Sequence, residues 1–278
     1  MPVTFDIYKQ LKSNLQFDLK TKVNPSKAKF LAQLAKEIFE KDQDILSRIQ
    51  WLIDTEVKEY IELSLLLMPK TENKKFYKTI IKYCDSDDWE IREYAGEALG
   101  EFLKPHLNNF YRDIIELRKK KSENIRRGAV LAMKYLAKYR IPEYRKKIFD
   151  ILGYFLDDDR EYVKKNLGPF AIGDALIIYY PEETISFIKR YSKSKKSTVK
   201  WNICMIFSSA SGSKHYDVAM PILIKNIYDN DAIVRNAAMK ALRQIYTRHP
   251  ETREKIKSVV DKNLEKFQYS KSIINFIQ

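Results

Sequence analysis

Cysteine is scarce in this chain. The two it has, Cys84 and Cys204, are too few and too far apart for a disulfide framework or a zinc site, and the apolar residues around each place them in a core. The three histidines, His106, His215 and His249, lie in separate segments, so no metal-binding cluster is expected. No glycine-rich phosphate loop is present, and no nucleotide cofactor is expected. Seven glycines and nine prolines in 278 residues leave little room for long irregular stretches. Long apolar runs are missing too. The densest, Leu63-Ser64-Leu65-Leu66-Leu67-Met68, is far too short to span a bilayer, and the opening MPVTFDIYKQLKSNLQF has no basic stretch followed by an apolar one. These absences predict a cytoplasmic protein without membrane contact, built as a single elongated helical domain over residues 1–278 and acting as a monomer.

What the chain has in excess is positive charge: Lys and Arg exceed Asp and Glu by 14. Residues 104–150 hold fourteen basic residues against five acids, and so contribute most of that surplus. Such a field favours an anionic partner, double-stranded DNA first, with RNA or a protein as the alternatives. A merely solvated Lys-rich surface accounts for the same composition.

A repeat underlies the pattern. Apolar-then-basic pairs recur at Val57-Lys58, Ile91-Arg92, Ile125-Arg126, Val163-Lys164, Val199-Lys200 and Val234-Arg235, 34 to 38 residues apart. From each apolar residue a stripe continues at i+3, i+4, i+7, i+8 and i+11, the single buried face of a helix. In the second repeat it reads Ile91, Tyr94, Ala95, Ala98, Leu99, Phe102. Partner helices are expected over 73–83, 106–119, 143–155, 181–191 and 216–229. Capping helices are expected over 26–41, 43–53 and 251–267. Pro142, Pro181 and Pro250 sit at helix starts, and Asp87 and Asp231 just ahead of repeat helices. Two-helix units that cannot bury a face alone must stack, so residues 57–245 predict an all-α, curved solenoid of six HEAT-like repeats with a concave surface. Residues 192–197, SKSKKS, read as an exposed basic loop.

Two readings of the cation column stay open. Arg126, Lys164 and Lys200, together with Lys195 and Lys196 of the basic loop, can grip DNA phosphates. Alternatively the column bonds Asp residues of neighbouring repeats, since Asp54, Asp88 and Asp231 lie four residues before three of its cations. One position further on, the chemistry varies: Glu59, Glu93, Arg127, Lys165, Trp201, Asn236. Trp89, Glu93 and Glu97 share one helix edge there. An aromatic face, carboxylates and an Arg converging on a groove suit a cationic ligand, though ordinary surface ion pairs explain the same residues. In the fourth repeat Pro169 should kink or restart the helix, with Gly168 and Gly173 loosening it further. Asp174, at an otherwise apolar position, is either a site residue or turned outward by that kink.

With these residues in place, WLIDTEVKEYIELSLLL (from Trp51), WEIREYAGEAL (from Trp89), NIRRGAVLAM (from Asn124) and VKKNLGPFAIGDALIIYYPEETISFI (from Val163) together resemble the HEAT-like DNA alkylation-repair superfamily, the AlkD and AlkC type of DNA glycosylase. The resemblance implies excision of cationic N3- or N7-alkylated purines from duplex DNA. It places the catalytic carboxylate at Glu93, where the family has Asp, and an aromatic wall at Trp89. The catalytic-site Arg falls on Arg127, with Arg126 the alternative. Glu97, Trp201, Lys165 and Asp174 complete the expected substrate surface. One departure stands out: the family's second groove tryptophan aligns with Pro169, with Trp201 as a replacement wall. The alternative from a different class is a non-catalytic scaffold that holds nucleic acid or a protein in its groove.

Overall fold

The computed structural model describes residues 25–261. The expected N-terminal cap is seen as α1 (Pro25–Lys41) and α2 (Ile45–Asp54), and the C-terminal one as a single turn, Pro250–Thr252, leading into α13 (Arg253–Asp261). The remainder of the expected helix over 251–267 lies outside the described residues. Between the caps run α3 (Lys58–Leu67), α4 (Phe76–Tyr83), α5 (Trp89–Glu116), α6 (Glu123–Ala137), α7 (Arg145–Phe155), α8 (Glu161–Lys165), a π-helical stretch Asn166–Leu176, α9 (Pro181–Tyr191), α10 (Ser197–Ile206), α11 (Tyr216–Asn226) and α12 (Ala232–Arg248). Among the described residues there is no strand, and the fold is an all-α repeat superhelix.

The six cation-bearing helices stack in series, α3 on α5, α5 on α6, α6 on the π-helical stretch, that stretch on α10, and α10 on α12. Their stripes are the reason. Ile91, Ala95, Ala98, Leu99 and Phe102 of α5 are buried, as are Val234, Ala237, Ala238, Ala241, Leu242 and Ile245 of α12. Helix starts follow the sequence signals with one shift of register. Asp88 caps α5 rather than Asp87, its carboxylate accepting from the Glu90 and Ile91 N–H groups at 2.8 and 3.3 Å. Asp231 caps α12 and Ser122 caps α6 in the same way.

The separate partner helix expected over 106–119 is not there: α5 runs unbroken from the second repeat through Pro105, and only Leu117–Lys119 tightens into a 3₁₀ turn. A proline inside a helix removes one hydrogen bond and costs about 3 kcal/mol. Aromatic packing on both sides of Pro105 offsets that cost. Tyr77 stacks on Phe110 at 4.5 Å, Phe102 meets Phe110 edge-on at 5.2 Å, and His106 Nε2 bonds the Glu72 carbonyl at 2.9 Å.

Pro169 has a different outcome from the kink or restart expected of it. The chain continues past it in the wider π-helical winding, which accommodates a residue that can neither donate its N–H nor tolerate the carbonyl four residues back. Gly168 and Gly173, expected to loosen this helix, instead let α10 come close. A Cβ on Gly168 would stand 2.7 Å from the Asn202 carbonyl oxygen, and one on Gly173 2.6 Å from that of Ile206. Gly173→Ala is therefore expected to destabilise the fold by about 1–3 kcal/mol, read as a drop of several degrees in the thermal midpoint.

At the N-terminal end, charge joins three helices. Lys27 of α1 reaches Glu62 of α3 at 2.8 Å and Glu90 of α5 at 3.6 Å, while Lys58 holds Asp88 at 2.7 Å and also pairs with Glu90. Glu62 is fully buried, and burial pushes its carboxyl up to about 7 despite Lys27 beside it. A raised folded pKa means that the folded chain holds this proton while the unfolded one releases it. The contribution of Glu62 to stability therefore falls between about pH 4.5 and 7, by roughly 3 kcal/mol in total. His215, held low by burial, works in the opposite direction over part of that window. The informative readout is the difference between the unaltered chain and Glu62→Gln in urea midpoints at pH 5 and 8, and the substituted protein should show the smaller decline.

Candidate functional site

The cation column is a set of struts. Arg92, Arg126 and Arg235 each reach back to two carbonyls at the end of the preceding segment: Ser86 and Asp87, Lys120 and Lys121, Asp229 and Asn230. Lys58, Arg126 and Lys200 also grip an acid of the following repeat, Asp88, Asp158 and Asp229. Their partners are thus not the Asp residues four places earlier in sequence but those one repeat ahead. Arg126 and Asp158 meet at 2.5 Å with side chains 9% exposed, so a phosphate at Arg126 would have to displace a carboxylate. Lys164 pairs with Glu161 at 3.2 Å and lies over the Trp201 ring at 4.9 Å. Of the loop lysines, Lys195 is exposed and Lys196 reaches Asp157 at 2.7 Å.

The position beside the column behaves differently. Glu93 of α5 and Arg127 of α6 form a direct ion pair across the repeat junction. The Arg127 side chain is 5% exposed and that of Glu93 35%, which puts the cation inside and the carboxylate at the surface. Arg127 lies over the Tyr162 ring at 4.6 Å and Arg92 over it at 5.7 Å. Arg127 Nε is buried with no hydrogen-bond partner among the described residues, so the guanidinium is held by one carboxylate and one ring face.

Trp89 opens α5 one turn before Glu93 and is 49% exposed. Spacing of four continues the same edge through Glu97 and Glu101. Facing it, α6 presents Arg127, Lys134 and Lys138 on one helical face. Lys138 reaches Glu101 at 2.5 Å and Glu97 at 3.9 Å, and Lys134 Nζ sits 3.5 Å from the centroid of the exposed Phe170 ring. Burial holds the Glu97 carboxyl above the usual carboxylate range and the Lys134 ammonium below its usual value, with Glu93, Glu97 and Asp174 acting against that second shift.

The structure thus unites Glu93, Arg127 and, along one helix edge, Trp89 and Glu97. Trp201 and Lys165 are held within their own surroundings, under Lys164 and against Glu161 at 3.5 Å. Asp174 belongs to the packing between repeats as well, accepting from the Ser211 N–H at 3.2 Å, while Lys134 feels its charge. Tyr162, Lys134 and Phe170 went unnoticed in the sequence. Phe170 directly follows Pro169, the position of the missing tryptophan, and an aromatic next to a lost aromatic was the available signal.

An all-α repeat superhelix with a carboxylate–guanidinium pair set between repeats, an open tryptophan one turn away and a strong cationic surplus is the architecture of a DNA-repair solenoid. The chain belongs to the DNA alkylation repair enzyme family, whose model matches residues 23–202, well over half of its length and every residue of this site. No curated protein matches the chain in sequence. Among solved structures, a designed armadillo repeat protein is 18% identical over 72% of this chain and 99% of its own, with a TM-score of 0.37. A computationally designed armadillo repeat protein for modular peptide recognition is also 18% identical, over 72% of this chain and 96% of its own, with a TM-score of 0.36. No helix among the described residues is long and apolar enough to cross a membrane.

Proposed function

We propose that this chain binds duplex DNA against the α5/α6 face and hydrolyses the N-glycosidic bond of cationic N3- or N7-alkylated purines. The observation that carries the reading is the Glu93–Arg127 pair, whose buried cation fixes an open carboxylate one helical turn from an exposed tryptophan. An alkylated purine already bears positive charge, so it departs with the C1′–N bond pair as a neutral base and leaves an oxocarbenium-like sugar. Glu93 stabilises that sugar and orients the water that attacks C1′, and the released proton passes to solvent. Arg127 sets the position of Glu93. The face of Trp89 favours the cationic nucleotide over an ordinary one, and Glu97 extends the anionic edge.

Phosphates are held by the exposed lysines Lys165, Lys195 and Lys196. Arg126, Lys164 and Lys200 join only where a phosphate replaces the acid that each now holds. Affinity should fall with salt, by about 0.9 log unit per log unit of salt for each phosphate contacted. Incubating the protein with methylated duplex DNA and measuring free alkylpurine tests the proposal. Salt-sensitive binding without release would point instead to a non-catalytic member of the family, a reading favoured by one observation: Lys134 covers Phe170, the ring nearest the lost tryptophan position.

A further inference from the structure

Lys134 has no part in the mechanism above, yet it stands in the same place. It lies seven residues after Arg127, on the same face of α6. Its amine is set against the Phe170 ring at 3.5 Å and is close enough to Glu93, Glu97 and Asp174 to feel all three charges. Tyr135 beside it is largely buried, and its ring lies 4.9 Å from the same amine. A lysine at a repair surface usually serves a phosphate, but this one is turned onto an aromatic face, half-buried and ringed by carboxylates. Such surroundings suit an amine that attacks carbon.

We propose that Lys134 is an amine nucleophile toward abasic deoxyribose, giving the chain a strand-cleaving lyase activity on abasic sites in duplex DNA. This rests on the reading of the α5/α6 face as the DNA-binding one. Removal of a purine leaves a sugar that opens to an aldehyde at C1′. The Lys134 nitrogen pair forms a bond to C1′, the carbonyl oxygen leaves as water, and a protonated imine results. A base removes one C2′ proton, the C2′–C3′ double bond forms, and the C3′–O bond breaks with its electron pair on the departing 5′-phosphate end. Water then hydrolyses the imine, which frees the unsaturated aldehyde and regenerates the amine. No oxidant, reductant or metal enters the balance. Burial favours the unprotonated amine that the first step needs, and makes Glu97 a stronger proton acceptor than an ordinary carboxylate.

The test uses a duplex in which a single abasic site has been made in advance, so it does not depend on glycosylase activity. Saturating full-length protein is incubated with it, with and without borohydride, which reduces the imine to a stable cross-link. The expected result is strand cleavage and a trapped protein–DNA adduct, with the linkage mapped to Lys134 by mass spectrometry of the digested adduct. Lys134→Met and the charge-preserving Lys134→Arg should lower both signals by roughly a hundredfold or more, with thermal midpoints recorded to confirm folding. Bound abasic duplex that is neither cleaved nor trapped by the unaltered chain, or an adduct that maps to another amine, overturns the proposal. Alkylpurine release from methylated DNA is measured separately, so that either reading can fail alone.

Discussion

Glu93→Gln is expected to slow alkylpurine release from methylated duplex between about 10²-fold and 10³-fold while leaving duplex affinity close to that of the unaltered chain. The amide has the size of the carboxylate, and its oxygen can still accept from Arg127, so the geometry of the α5/α6 junction is kept. What disappears is the negative charge facing the developing oxocarbenium ion, an interaction stronger in the transition state than with the bound ground state. The loss therefore belongs in kcat rather than in KM. A stability cost accompanies it, because Arg127 is 5% exposed and would keep only a neutral partner and the Tyr162 ring. Single-turnover release is to be measured below the thermal midpoint of the variant. Equal rates for the two proteins would remove Glu93 from the chemistry. A parallel loss of binding would make the pair a structural strut like the neighbouring column.

That contrast with the neighbouring column shows what a repeat sequence reveals and what it hides. Stripes such as Ile91-Tyr94-Ala95-Ala98-Leu99-Phe102 fix which face of each helix is buried, because the geometry of a helix alone determines it. The stacking order follows, and so does the Glu93–Arg127 contact, since equal register in successive repeats brings those positions side by side. Departures from helical regularity were less legible. Pro105 and Pro169 look alike in sequence, but the chain passes the first as one long helix and the second by widening its winding. The difference lies in partners distant along the chain, the Tyr77–Phe102–Phe110 cluster in one case and the close approach of α10 to Gly168 and Gly173 in the other. The same limit hid Tyr162 and Phe170. Each looked like one more aromatic residue until the cations of adjacent repeats were found over their rings.

Arg126 offers the other large effect, on stability rather than rate. Its side chain and that of Asp158 are each 9% exposed, and its guanidinium also satisfies the carbonyls of Lys120 and Lys121. Removing one member of a buried pair leaves the other charge without water or partner, at a cost of about 3–5 kcal/mol, a sizeable fraction of the roughly 5–15 kcal/mol that holds a domain folded. Arg126→Met should therefore move the urea midpoint far down. Adding Asp158→Asn should recover most of the loss, because the buried charge goes while the amide oxygen still accepts from the Arg160 N–H. Duplex binding separates a strut from a phosphate contact. If Arg126 is a strut, the slope of log affinity against log salt is the same in folded Arg126→Met as in the unaltered chain. If it holds a phosphate, the slope becomes shallower by about 0.9. The bond to Asp158 argues for the first outcome, which would leave the cation column to build the solenoid and the position beside it, from Glu93 to Arg127, to face the DNA.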